Sequence, residues 1–271
     1  MVLAGAALVA SACSGPKAQP IRGDIASVLK RGITFGHGSF DHTLWDDLVS
    51  RYAVNGGRRF DYAGLRKDEK KLKTYLDALA RADLEALSSQ ELEALFANAY
   101  NAFTVATILE HVSEAGAYGI QSIRDIDNVF GREAFTIGGF RLSLDGIEHN
   151  ILRPVFRDPR MHFAINCASI SCPPIPTRAL TGAGLDEELE KAARNVLGNP
   201  DYVSVENDAL LLSKILDWYG ADFVNPEYSG SEKSLPAFVS RYANEDVRRF
   251  LEKRKNEVAV RFRDYDWRLN K

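Results

Sequence analysis

The stretch "HFAINCASISCPP", residues 162–174, sets two of the chain's three cysteines five residues apart, behind a histidine in an apolar run. Such residues can do three kinds of chemistry. In the first reading Cys172 is a nucleophile activated by His162 or His149, with an asparagine or Glu148 orienting the imidazole. In the second, Cys167 and Cys172 close a disulfide, which an exported compartment permits. In the third, both cysteines and both histidines bind zinc, but their spacing matches no standard zinc pattern. No metal and no other cofactor is therefore expected. Pro173 holds Cys172 extended, and Pro173, Pro174 and Pro176 preclude a long helix directly after it. Activation by a helix N-terminus is thereby removed, and a histidine must supply it.

Other polar groups stand in apolar surroundings. Asn98 and Asn101 are three apart within "FANAYNAFTVATIL", so they share one face of a helix that is apolar nearly all round. A buried amide without partners costs about 1–3 kcal/mol, so each must be hydrogen-bonded, either to loop backbone or within a catalytic site. Glu148 lies on the inward stripe of Leu144, Ile147, Ile151 and Val155, and it needs a partner such as Arg153 or a histidine. His149 is one step round the same helix. The pair suits either an oriented general base or a buried ion pair. His37, His42 and His111 are left outside the site, and Trp218, Tyr219 and Trp267 read as core or cover.

The elements that must position these groups can be read from periodicity. "MHFAIN" reads as a buried strand, with His162, Ala164 and Asn166 on one face and Met161, Phe163 and Ile165 on the other. Continued, the pleat turns Cys167 away from His162 and buries it as an inert thiol, which leaves Cys172 as the reactive one. His149, His162 and the Cys172 sulfur should then converge on one pocket lined by Asn98 or Asn101. Helices are predicted over residues 41–53, 65–82, 88–111 and 185–197, with a short one over "SLDGIEHNILR" and more over "KILDWYGADF" and residues 234–254. Ser88 ahead of Glu91 is a capping-box signal. Hairpins are expected at Gly138–Gly139 and around Asn207, and "VAVRFR" as a closing strand. This is an α+β pattern, a predominantly helical single domain over residues 41–271 with a small antiparallel sheet built from hairpins.

The chain has 271 residues, 45% hydrophobic and 26% charged, with a net charge of -3, and its basic clusters alternate with acids at helical spacing. Nucleic acid is therefore not an expected partner. Residues 1–13, "MVLAGAALVASAC", have the form of a lipoprotein signal ending in Cys13, and residues 14–40 that of a tether and N-terminal extension. The expectation is a protein lipid-anchored through Cys13 to a bacterial envelope membrane and facing the periplasm.

Five blocks, "FANAYNAFT", "SLDGIEHNILR", "DPRMHFAINCASISCPP", "LSKILDWYGADF" and "YDWRLN", occur in this order from about residue 45 to the C-terminus. In this the chain resembles the bacterial and plant family known as domain of unknown function 547. The resemblance implies that the family's recurrent features fall on Asn98, Asn101, Glu148, His149, His162, Cys167 and Cys172. It implies no reaction. It also implies relatives in the plant cytosol, where both cysteines would stay reduced, which counts against a purely structural disulfide. Taken with the residues, it leads to an expected thiol-dependent hydrolase or acyltransferase acting on an amide, peptide or thioester bond of a peptide-like or small-molecule substrate. The alternative is a non-catalytic envelope binding or scaffold module with a structural Cys/His/Asn cluster.

Overall fold

The computed structural model describes residues 24–271. The expected signal segment and the Cys13 lipidation site lie outside the described residues. Within the span expected to be a tether, helix α1 (Asp24–Phe35) buries Ile25 and Leu29 against the body of the protein. The periodic segments that follow are helices α2 (Thr43–Tyr52), α3 (Tyr62–Leu65) and α4 (Glu69–Ala80), with a two-residue ribbon of β1 (Ala53–Val54) and β2 (Arg59–Phe60) between them.

Helix α5 (Ser89–Leu109) is the axis of the fold. Ser88 Oγ accepts from the Glu91 backbone N–H at 3.3 Å, while the Glu91 carboxylate turns away to the Gly182 N–H and His42 Nε2 instead of closing the box. Its near-continuous apolar surface requires cover on every side. That cover comes from α1, α4, the segment around residue 150 and helix α6 (Leu185–Leu197). The hairpin of β3 (Phe135–Ile137) and β4 (Phe140–Leu142) turns on Gly138 and Gly139, both at positive φ, as a two-residue turn demands.

The remaining strands, β5 (Val203–Glu206), β6 (Ala209–Leu212) and β7 (Val260–Phe262), make one sheet. The β5–β6 hairpin is antiparallel, whereas β7 joins β6 in parallel, so the sheet is not built from hairpins alone. Between β6 and β7 come α7 (Ile215–Trp218), α8 (Gly220–Val224), α9 (Leu235–Tyr242) and α10 (Glu245–Lys253). The fold is α+β and mostly helical. One apolar cluster surrounds α5 and a second gathers under β5, β6 and α8–α10; Phe163 reaches into the second from between Met161 and Ala164 of the first, and α6 passes from the first to the second between Leu189 and Ala193.

Two departures from expectation shape the site. "MHFAIN" is not a strand. Asp158 caps a 3-10 helix, Pro159–Phe163, by accepting from the Arg160 N–H at 2.9 Å, with Pro159 at its first turn. This "DP" start signal overrides the apolar run after it. The segment "GIEHNILRPVF", Gly146–Phe156, is a π-helix rather than an α-helix, and Arg157 ends it in the left-handed region at φ 56. Pro154 lies inside it, where it has no backbone N–H to contribute to the ladder.

Candidate functional site

With the pleat gone, the two cysteines are set by a loop. Asn166 is its hub: its N–H donates to Asn101 Oδ1 at 2.8 Å, its Nδ2 donates to the Pro173 carbonyl at 2.6 Å, and its Oδ1 accepts from the Ala168 N–H at 2.8 Å. Ala168 pays for the tight curl with φ 63, a conformation that costs a residue bearing a Cβ about 1–2 kcal/mol. Gly57 supports the far end of the loop, where any Cβ would stand 1.9 Å from the Ile175 carbonyl oxygen. The curl brings the Cys167 and Cys172 sulfurs to 3.0 Å, and the Cys167 N–H donates to Cys172 Sγ at 3.0 Å. Both thiols are free.

The expected burial of the two cysteines is reversed. Cys167 is partly exposed and Cys172 only 6%. When Cys167 ionises, the Cys172 thiol donates to it; burial opposes the charge, but Ser169 and Tyr265, whose hydroxyls each lie 3.2 Å from the sulfur, assist. The balance brings the Cys167 thiol down to about 7. Burial, then the neighbouring Cys167 charge, push the Cys172 thiol up. Among the described residues neither sulfur hydrogen-bonds an imidazole, and no group of three or more His, Cys, Asp or Glu side chains is arranged to hold a metal ion.

The histidines belong to a second network. His162 is buried, with Nε2 2.9 Å from Asp222 Oδ2 and its ring stacked on Tyr219 at a centroid distance of 4.1 Å. Arg153 grips the same carboxylate with Nε at 2.6 Å and a second nitrogen at 3.0 Å. Burial disfavours the Asp222 charge, yet the His162 and Arg153 bonds outweigh it and hold the carboxyl down at about 2. Arg153 also donates to His149 Nδ1 at 3.3 Å, which leaves the proton of a neutral imidazole on Nε2, 3.7 Å from Asp145. Glu148 Oε1 stands 3.9 Å from Nδ1 of both histidines. Burial and this carboxylate hold the Tyr219 phenol far above its ordinary value.

A cavity of about 250 Å³ separates the thiol pair from this network. His149, His162, Glu148, Cys167 and Cys172 all line it, and Trp218, Tyr219, Tyr265 and Trp267 form aromatic walls. Asn98 and Asn101 do not. Asn98 donates to and accepts from the Leu180 backbone at 2.8 and 3.0 Å, and Asn101 spans the Ala164 carbonyl at 2.9 Å and the Asn166 N–H. Their amides are fully engaged in holding loop backbone, the first of the two uses their burial allowed. His42, set aside above, is buried between Tyr75 and Glu91 and does not line the cavity.

Sequence reasoning missed Asp222, Tyr265 and the aromatic walls. Asp222 stands in "LSKILDWYGADF" as an acid directly before Phe223 and Val224 on a short helix, an acid with large apolar neighbours as Glu148 has. Tyr265 carried no local sign, because β7 delivers it to the cavity through a parallel pairing.

The family model described as "Protein of unknown function, DUF547" matches residues 84–197, which takes in both asparagines, the π-helix and the cysteine loop, while the blocks holding Asp222 and Tyr265 lie beyond it. No curated protein and no solved structure matches the chain.

Proposed function

We propose that this chain, whose residues 84–197 match the DUF547 family model, is a cysteine-dependent enzyme, a hydrolase or acyltransferase, whose nucleophile is Cys167. The observation that carries this reading is the Cys167 sulfur on the cavity wall with two side-chain donors beside it, the Cys172 thiol and the Tyr265 hydroxyl, the latter oriented by Ser169. The thiolate attacks the carbonyl carbon of an amide, peptide or thioester lodged against the aromatic walls and forms an acyl-enzyme. His149, whose neutral Nε2–H points to the cavity wall at Asp145, hydrogen-bonds the oxyanion of the tetrahedral intermediate; the leaving group departs as a thiolate, or as an amine protonated by water, and water or an acceptor nucleophile then takes the acyl group and gives up its proton to solvent. His162, Asp222 and Arg153 hold the wall against which His149 works, and Glu148 balances their positive charge. Asn98 and Asn101 are positioning residues.

Pulse alkylation of the reduced protein across pH 5 to 9, read by mass spectrometry, tests the nucleophile. Cys167 should label first, with a rate that levels off above pH 7 to 8. Incubation with small aromatic thioesters should leave an acyl adduct on Cys167 that survives in Cys172→Ser and is absent from Cys167→Ser. Labelling of Cys172 ahead of Cys167 removes this reading. A ligand that protects the cavity from alkylation but never acylates Cys167 favours a binding module, a role that the mutual pairing of His162, Asp222 and Arg153 would equally serve.

We also propose that the protein is a lipoprotein held at the periplasmic face of an envelope membrane through Cys13. Support comes from "VASAC" followed by the polar "SGPKAQP"; among the described residues no helix is long and apolar enough to cross a membrane. The full-length protein should enter a detergent phase with Cys13 as its first residue, and Cys13→Ser should stay in the aqueous phase unprocessed.

A further inference from the structure

The thiol pair has a feature that acyl transfer does not use. A single nucleophile needs one sulfur, yet the Asn166 hub and the strained Ala168 hold a second one 3.0 Å away, about 1 Å beyond a covalent S–S bond. The two are also unlike: both line the cavity, but Cys167 is partly exposed and Cys172 is buried, with its backbone carbonyl fixed by the Tyr202 hydroxyl at 3.0 Å. One exposed attacking sulfur with one covered sulfur beside it is the arrangement that thiol–disulfide exchange requires.

We propose that Cys167 and Cys172 are a redox-active dithiol that exchanges electrons with a disulfide substrate entering the same cavity. The Cys167 thiolate attacks one sulfur of the external disulfide, forming a mixed disulfide and expelling the other half as a thiolate. Cys172 then attacks Cys167 Sγ; the bond to the second half breaks, and that half leaves as a thiol with the proton Cys172 gives up. Two cysteine sulfurs are oxidised by two electrons to the Cys167–Cys172 bond, and the external disulfide is reduced to two thiols. Run backward, the closed pair oxidises a dithiol. This activity rests on Cys167 being the attacking sulfur, as in the acyl-transfer reading, but it requires Cys172, which acyl transfer does not.

The test is incubation of the reduced full chain with glutathione disulfide at several thiol-to-disulfide ratios, followed by acid quenching, alkylation and mass spectrometry. The wild-type protein should collect as the internal disulfide. Cys172→Ser, and as a second variant Cys172→Ala, should instead accumulate the mixed disulfide on Cys167, about tenfold above its level in wild type. Cys167→Ser should take up no glutathione. A wild-type protein that stays a dithiol, or that holds glutathione on Cys167 without passing it to Cys172, overturns the proposal. Because acyl-enzyme formation is scored in Cys172→Ser, a pair that fails to close while Cys167 still acylates sinks the redox activity alone; an unreactive Cys167 sinks both.

Discussion

Tyr265 sets its hydroxyl 3.2 Å from the Cys167 sulfur and 2.8 Å from Ser169 Oγ, across 98 residues of chain. Ser169 donates to the phenol oxygen, which leaves the phenol proton for the sulfur. A hydrogen bond to a charged group contributes about 1.5–3 kcal/mol, and one pKa unit corresponds to about 1.4 kcal/mol. Tyr265→Phe should therefore raise the Cys167 pKa by about one to two units and slow its alkylation near neutral pH about tenfold or more. Cys172→Ala removes the strongest donor and should raise it further. An alkylation profile identical to wild type in both variants would show that the thiolate is stabilised elsewhere.

That contact also shows what a sequence reveals. Helix α5, helix α6 and both glycine- and asparagine-turned hairpins were legible because each rests on local signals: a Ser88 cap, a long apolar run, residues suited to positive φ. The polar members of the cavity were legible through their apolar neighbours, since Glu148, His162 and Cys172 are buried. The roles of the two cysteines were not. They turn on whether residues 161–166 alternate as a strand or curl after Asp158 and Pro159, and the apolar pattern alone does not decide between the two. Asp222 and Tyr265 reach the site through tertiary pairings that leave no periodic trace.

The two asparagines should separate in their effects. Asn101→Ala strands the Ala164 carbonyl and the Asn166 N–H beside the cysteine loop, at about 1–3 kcal/mol for each unsatisfied group. It should lower urea stability and broaden the pH profile of Cys167 alkylation. Asn98→Ala strands the Leu180 backbone instead and should cost similar stability while leaving that profile unchanged. Equal profiles in both variants would deny Asn101 its hold on the thiol.

Asp222 should govern acid stability. Its carboxyl is held at about 2, below its ordinary value, so its contribution is complete above about pH 4 and is lost as pH falls through about 2. Asp222→Asn leaves Arg153 and His162 without their shared anion and should cost about 3–5 kcal/mol at neutral pH. Urea titrations at pH 2 to 7 should show a steeper acid loss for wild type than for the variant. Parallel curves would mean that the pair is not formed in solution.

Glu93 should act in the opposite direction. Burial, reinforced by Asp158 and only partly countered by Arg160, pushes its carboxyl up to about 8, and its Oε1 is buried without a hydrogen-bond partner. The favourable state is the protonated one, so stability is full below the ordinary glutamate range and is lost as pH rises toward and through about 8. Glu93→Gln should remove this slope and raise stability at pH 8 by about 1–3 kcal/mol. Thermal midpoints from pH 5 to 9 will decide; a variant that keeps the wild-type slope would place the titration on another group.

The C-terminal segment that follows β7 has a consequence for how the protein is made. Residues 265–270 run beside the cysteine loop: the Ile170 N–H donates to the Arg268 carbonyl at 2.9 Å, and Asn270, fully buried, ties the Ala168 carbonyl, Asn166, Tyr62 and the Phe60 N–H together. A ribosome adding about 5–20 residues per second needs about 5–20 s to travel the 98 residues from Cys167 to Tyr265. Throughout that interval the nascent thiol lacks Tyr265 beside it and its loop lacks Asn270 to close it. The surroundings of the Cys167 sulfur are thus complete only once the last residues of the chain have docked.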